Sequence, residues 1–356
     1  MISGERFDPW VTKPPRPVLD GMIKVAMPNT VQSSLRCRPH SVSFIGDSHG
    51  NHAGFQKNME ALGYGESIPP DHHLIVLWDI VADRHVTGIP ILLDIEDLRT
   101  QGANIEVIAW NHEDLLLSFL FQRLHVNFLD PIDLCQNRHV GVWLLEFGRF
   151  QIPPASYWDG LSAPDILEGL RQSAEWYRIL QALCAMKVGA QIDETLFVHT
   201  DMTDDMAEMI LQHGVDTLNE VFQRNLKSFL IEGKNESDID FFHAIRDVFL
   251  STYNNRTRMT DEYDARGERV SVLSLSQDRA RQLQDKYGIS RIIHGHADYS
   301  RYDPVGNLIE SMRSILIGEI LVMSADYSAH KRSDFRPHAR SVWYIDKEGG
   351  LYAYGY

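Results

Sequence analysis

Five short polar clusters in this 356-residue chain hold side chains that could do chemistry together: Asp47-Ser48-His49, Asp79, Asn111-His112, His199 and His294-Gly295-His296. Aspartate, histidine and asparagine supply the oxygen and nitrogen ligands that suit Mn, Fe or Zn-like ions. Asp47 and His49 stand two residues apart, so at the end of a strand both can point the same way and grip one ion. The Asp79 carboxylate has two oxygens and can bridge two ions. Asn111 offers a neutral carbonyl oxygen, and His199 and His296 offer ring nitrogens. A two-metal site suits in-line displacement at phosphorus, because the ions acidify a water and neutralise the attacking and leaving oxygens. The leaving oxygen needs a proton, and His112, next to Asn111, is placed to give it. The phosphoryl oxygens need a cation, and Arg84 is the nearest, with a guanidinium that binds two oxygens at once.

The elements that must position these groups are legible in the surrounding pattern. Strand-like Ser41 to Ile45 ends in GDSHGN, and a helix is expected over 52–62. Strand HLIVLW at 73–78 ends in Asp79, helix 91–101 follows, and strand NIEVIAW at 104–110 ends in NHED before a helix at 112–124. Strand and helix in alternation predict an α/β sheet, whose ligands gather at the carboxyl ends of the strands. Each cluster sits just there. From Pro164 to Pro304 no proline intervenes, and helical periodicity runs through 165–188, 203–232 and 238–252, interrupted by the strand TLFVH at 195–199. RIIHGH at 291–296, ILVMS at 320–324, SVWYID at 341–346 and GLYAYGY at 350–356 read as strands, with a hairpin turn at 346–350.

Composition narrows the class of protein. Acidic residues outnumber basic ones, 49 to 34, for a net charge of −15, which disfavours a nucleic-acid backbone as partner. Residues 1–40 differ: they carry six of the 15 prolines and are net basic, an extension that either wraps the acidic body or is a poorly ordered terminus. The three cysteines, Cys37, Cys135 and Cys184, have no disulfide or zinc spacing, so a reducing, cytoplasmic setting is expected. No apolar run reaches membrane-span length and no secretory signal is visible, although export without a cleaved signal stays open.

In order along the chain, GDSHGN, D(x)3DR, NHE, FVH and GH resemble the calcineurin-like metallophosphoesterases, and more closely their phosphoprotein phosphatase branch. The likeness covers residues 41–300. It implies two facing mixed β-sheets flanked by helices, a four-layer α/β sandwich, with the metals at one edge. By position it implies two divalent ions, Mn2+ first, with Fe, Zn or Ni as alternatives. Asp47 and His49 would bind the first ion, Asp79 would bridge, and Asn111, His199 and His296 would bind the second. His112, paired with Asp83, would be the proton donor, Arg84 would hold the phosphate, and Arg256 or Arg258 would be a second clamp. A metal-bridging hydroxide would attack phosphorus directly.

The chain departs from the family pattern in four places. Trp78 and Trp110 replace glycines before Asp79 and Asn111. These two indoles either fill the core or wall the cleft against a flat leaving group. DIVADRH has one extra residue between Asp79 and Asp83 and ends in His85. Thr200-Asp201 follow His199 where small residues are usual, and Asp298 stands where the phosphodiesterase branches carry a histidine. His294 reads as structural, supporting the ligand two residues on, and His52, His72, His73 and His85 as ordinary loop or strand-end residues. Residues 41–356 are expected to form one catalytic domain with helical insertions at about 151–194 and 203–262.

The expected activity is phosphomonoester hydrolysis, foremost on phospho-Ser/Thr or phospho-Tyr of a protein. A small phosphate ester or dinucleoside polyphosphate is the alternative substrate. A degenerate metallophosphoesterase scaffold that only binds is the alternative outside enzymes. The net charge does not oppose a phosphoryl group, because a metal pair inverts the local field.

Overall fold

In the computed structural model the apolar runs leading into the first three clusters are neighbouring strands: β2 (Val42–Ile45), β3 (His73–Leu77) and β4 (Asn104–Ile108). The residues described are 23–24, 42–46, 50–64, 67–69, 71–77, 80, 88–109, 113–114, 117, 163–234, 238–250, 261–263, 269–271, 275–295, 299–302, 308–312, 314–325, 342–345 and 351–353. β2, β3 and β4 pair in parallel, Ile45 beside Val76 and Leu77 beside Ile108, so three chains leave the sheet at one level. β14 (Val342–Ile345) joins β2 antiparallel and β15 (Leu351–Ala353) joins β14, giving the order β15-β14-β2-β3-β4.

The second sheet has six strands in the order β1-β12-β13-β9-β6-β5. Its centre is parallel: β13 (Ile320–Ser324), β9 (Arg291–His294) and β6 (Thr195–Val198). Antiparallel strands flank it: β5 (Gly189–Ile192) on one side, β12 (Ser314–Ile317) and β1 (Ile23–Lys24) on the other. From the N-terminal extension, then, Ile23–Lys24 form an edge strand. A separate antiparallel sheet orders β11 (Leu308–Met312), β10 (Tyr299–Tyr302), β8 (Arg269–Ser271) and β7 (Asp261–Tyr263).

Strand alternation sends each sheet's residues to two cores. Phe44, Ile75, Leu77 and Ile108 meet Ala190, Phe197, Ile293 and Met323 between the two large sheets. The Phe44 and Phe197 rings lie 5.6 Å apart. Their neighbours Ile45, Leu74, Val76, Leu196, Val198, Ile292 and Val322 face outward into the helical layers. Each buried large apolar side chain contributes about 2 kcal/mol relative to exposure. The architecture is therefore α/β, two facing mixed sheets flanked by helices, as the resemblance implies.

The helices bounded within the described residues are α1 (His52–Ala61), α2 (Gly88–Thr100), α3 (Ala163–Gln172), α4 (Ala174–Cys184), α5 (Asp204–His213), α6 (Val215–Lys227), a π-helical turn (Ser228–Glu232), α7 (Ile239–Phe249) and α8 (Gln277–Tyr287). α1 starts where the Asn51 side chain accepts from the Gly54 N–H, and α5 where Thr203 accepts from the Met206 N–H. α2 begins earlier than residue 91, because Pro90 fits a first turn, where its missing N–H costs nothing. The continuous helical stretches expected at 165–188 and 203–232 are broken at Ser173 and at Gly214, whose φ of +78° suits glycine. Residues 189–192, inside the first expected helical insertion, are strand β5, and Asp261–Tyr263 at the end of the second begin β7.

Candidate functional site

β2 delivers the chain to Asp47–His49, which lie outside the described residues, and the backbone returns at Gly50 with a φ of +71°. That left-handed turn feeds directly into α1, with the His52 N–H donating to Gly50 O at 3.1 Å. β3 leads to Trp78 and Asp79, and β4 to Trp110, Asn111 and His112; all five lie outside the described residues. So do Asp83, Arg84, His85, Arg256, Arg258, His296 and Asp298. Of the six expected metal ligands, His199 is described: it is 1% exposed and follows directly on β6.

Backbone hydrogen bonds bring the strand ends of both sheets to one edge. Lys187 N–H donates to Val107 O at 2.9 Å, and Ala109 N–H donates to Lys187 O at 2.6 Å. Two residues on, Gly189 pairs with Val198. His199 therefore stands beside the turn that is bonded to the end of β4, two residues short of Asn111. Gly295 N–H donates to His199 O at 2.8 Å, so the residue before His296 adjoins His199. Ala325 N–H donates to His294 O at 2.7 Å, adding the end of β13. The chains that run on to Asp47, Asp79 and Asn111 thus leave the same edge as those that carry His199 and His296.

Asn219 secures the crossing between the sheets. Its Oδ1 accepts from the Val188 N–H at 2.9 Å and its Nδ2 donates to Gly189 O at 2.8 Å, both in the core. A buried side-chain amide here satisfies both a donor and an acceptor of the backbone.

Three side chains hold the edge in ways that residue spacing alone does not reveal. Glu113, the acid of the NHE motif, is 1% exposed, and its Oε1 accepts from the Ile80 N–H at 2.9 Å. The residue after His112 thus anchors the residue after Asp79. Asp114 is buried and paired with Arg246 of α7. Asp201, a departure from the family pattern, faces His294: its Oδ1 lies 3.1 Å from Nε2 of this fully buried ring. The motif letters NHE, the oddity of Asp201 and the phase of His294 were the available signals; the pairings themselves span distant parts of the chain.

Three further histidines among the described residues have structural partners. His52 Nε2 lies 2.7 Å from Asp94 Oδ2, and His73 Nε2 lies 3.0 Å from Glu106 Oε1. His72 sits between the hydroxyls of Tyr64 and Ser43, and burial, with His73 beside it, lowers its pKa to about 4.

A cleft of about 690 Å3 opens along β4, away from its carboxyl end, lined by Asn104, Glu106, Lys187 and Lys227 among others. None of the expected site residues lines it. Its Arg99, Arg224 and Lys227 stand in the last turns of α2 and α6, where cations offset the negative ends of helices. Cys184, at the end of α4, lines it too; burial pushes its thiol up to about 12, which keeps it protonated and unreactive. Among the described residues no three His, Cys, Asp or Glu side chains are grouped to hold a metal ion.

No family model matches the chain, and no curated protein matches it. Among solved structures it is similar to a cold-active protein-tyrosine phosphatase of a psychrophilic Shewanella species. Identity there is 11%, with 91% of this chain and 83% of that one covered and a TM-score of 0.46. It is also similar to a protein serine/threonine phosphatase from Saccharomyces cerevisiae with similarity to human phosphatase PP5. That match has 10% identity, 89% and 80% coverage and a TM-score of 0.41. The phosphatase domain of the Legionella effector WipB matches over 56% of this chain and 72% of its own, with 16% identity and a TM-score of 0.32.

Proposed function

We propose that the chain is a metal-dependent phosphomonoesterase of the metallophosphoesterase class, in the phosphoprotein phosphatase branch. Its substrate on this reading is a protein phosphorylated on Ser/Thr or Tyr. The observation that carries the proposal is the convergence of five strand ends on one edge, each continuing into Asp, Asn or His, with His199 buried there. A donor set of two aspartates, one asparagine and three histidines fits two ions of the Mn, Fe, Zn or Ni kind. Asp47 and His49 would hold one, Asn111, His199 and His296 the other, and Asp79 both. Such ions supply positive charge to the phosphoryl oxygens and lower the pKa of the attacking water.

The remaining steps belong to the chain's own residues. His112 gives a proton to the leaving oxygen, and Asp83 orients its ring. Arg84, with Arg256 or Arg258, holds the phosphoryl oxygens. Residues 41–356 act as one catalytic domain, with the helices between β4 and β9 as the region that selects substrates. No helix among the described residues is long and apolar enough to cross a membrane.

The test is a metal series crossed with a substrate panel. The proposal expects turnover with Mn2+ or a related ion, and phosphopeptides preferred over nucleotides. Preference for a dinucleoside polyphosphate would move the assignment to a small-molecule hydrolase. Metal binding without turnover of any ester would leave a binding scaffold and overturn the enzymatic reading.

A further inference from the structure

Two carboxylates follow His112 in the chain, and they reach in different directions. Glu113 takes the Ile80 N–H, on the side of β3. Asp114 takes the guanidinium of Arg246, from α7 in the helical region: Nε lies 2.7 Å and Nη2 2.6 Å from the same Oδ1. Arg246 is 4% exposed and Asp114 7%. The guanidinium also lies 5.8 Å from the ring centroid of Phe242, a fully packed core residue one helical turn earlier.

A buried ion pair is seldom the most stabilising choice. Apolar side chains of similar volume commonly do as well or better, because two charges must leave water. What a charge-assisted hydrogen bond provides that apolar packing does not is directed geometry. Here it fixes Asp114, two residues after His112 in the chain, against a helix more than a hundred positions away. We infer that Arg246 is a positioning residue for the reaction: through Asp114, the helical region holds the turn that follows His112 in the chain. This rests on the phosphomonoesterase reading, in which His112 protonates the leaving oxygen.

The experiment compares two leaving groups. A p-nitrophenolate departs without a proton, whereas the alkoxide of a phosphoserine peptide needs one. Arg246→Met alone would strand a buried carboxylate, so it is paired with Asp114→Leu, which removes both charges together. The folded double variant, checked by circular dichroism, is expected to lose about 100-fold in kcat on the phosphoserine peptide, the scale of a misplaced general acid. Its loss on p-nitrophenyl phosphate is expected to be at least about tenfold smaller, since that ester does not draw on the acid. Arg246→Lys, which keeps the charge, recovers part of the peptide rate. Independently of turnover, amides in residues 109–117 exchange faster in the double variant. Equal losses on the two esters, or unchanged exchange in 109–117, overturn the inference. A wild-type protein inactive on both esters contradicts the phosphatase reading instead, and the exchange measurement still decides whether α7 orders this turn.

Discussion

His294 and Asp201 face each other, Nε2 to Oδ1 at 3.1 Å, and join the segment that carries His199 to the segment that carries His296. His294 Nδ1 donates to Gly295 O at 2.7 Å, so both ring nitrogens have oxygen neighbours and the ring cannot turn freely. A residue that departs from the family pattern thus takes a structural duty between two expected metal ligands.

Asp201→Ala removes the carboxylate that faces a fully buried ring. The expected cost is about 1–3 kcal/mol, the cost of leaving a buried polar group unmade. Asp201→Asn keeps one oxygen and should retain most of the stability. Urea midpoints of the two variants check this, and equal midpoints for Asp201→Ala and the parent would contradict it.

Glu113 should matter to the edge more than to bulk packing. Glu113→Gln keeps an oxygen for the Ile80 N–H, while Glu113→Ala leaves that donor without it. The alanine variant is expected to lose about 1–3 kcal/mol of stability. It should also lose phosphatase turnover, and the glutamine variant should lose much less of both. Side-by-side rates and midpoints check the ordering.

Acid should weaken the fold partly through His72. Its folded pKa, lowered to about 4, lies below the ordinary 6.5 of the unfolded chain. Between those values the unfolded chain binds a proton that the folded chain does not, so stability falls as pH drops from about 6.5 towards 4. The loss reaches about 3 kcal/mol at the lower end. His72→Gln keeps polar contacts to Tyr64 and Ser43 without titrating. Its urea midpoint should therefore fall less than the parent's between pH 7 and pH 5, and parallel falls would refute the assignment.

Asn219→Leu keeps volume but leaves Val188 N–H and Gly189 O unmatched in the core. Two buried groups at about 1–3 kcal/mol each make this one of the costlier single changes. Denaturant unfolding with a loss below about 1 kcal/mol would show that water or a shifted backbone takes over both groups.

The sequence was most legible where buried runs and short polar clusters alternate. β3, β6 and β13 declare themselves by four consecutive apolar or β-branched positions, β2, β4 and β9 by shorter apolar runs, and each leads into an expected site cluster or neighbours one. Elements whose existence depends on distant partners were not legible. β5 reads GAQI, with a glycine and a glutamine, and becomes a strand because β6 pairs with it and Lys187 ties its approach to β4. α8 was missed because it is almost wholly polar: Ala280 and Leu283 are its buried residues, too few for an amphipathic signal. Within the site, NHE marked Glu113 without giving it a task. Asp114 could not be matched to Arg246 across 132 positions, nor Asp201 to His294.

The central claim is tested most directly by phosphate release from an aryl phosphate by the purified chain reconstituted with Mn2+, measured beside the chelator-treated chain and Asp79→Asn. The account predicts turnover in the reconstituted protein, its loss on chelation with recovery when Mn2+ is restored, and at most residual activity in the folded Asp79→Asn variant. Undiminished hydrolysis after chelation, or full activity of Asp79→Asn, would contradict it.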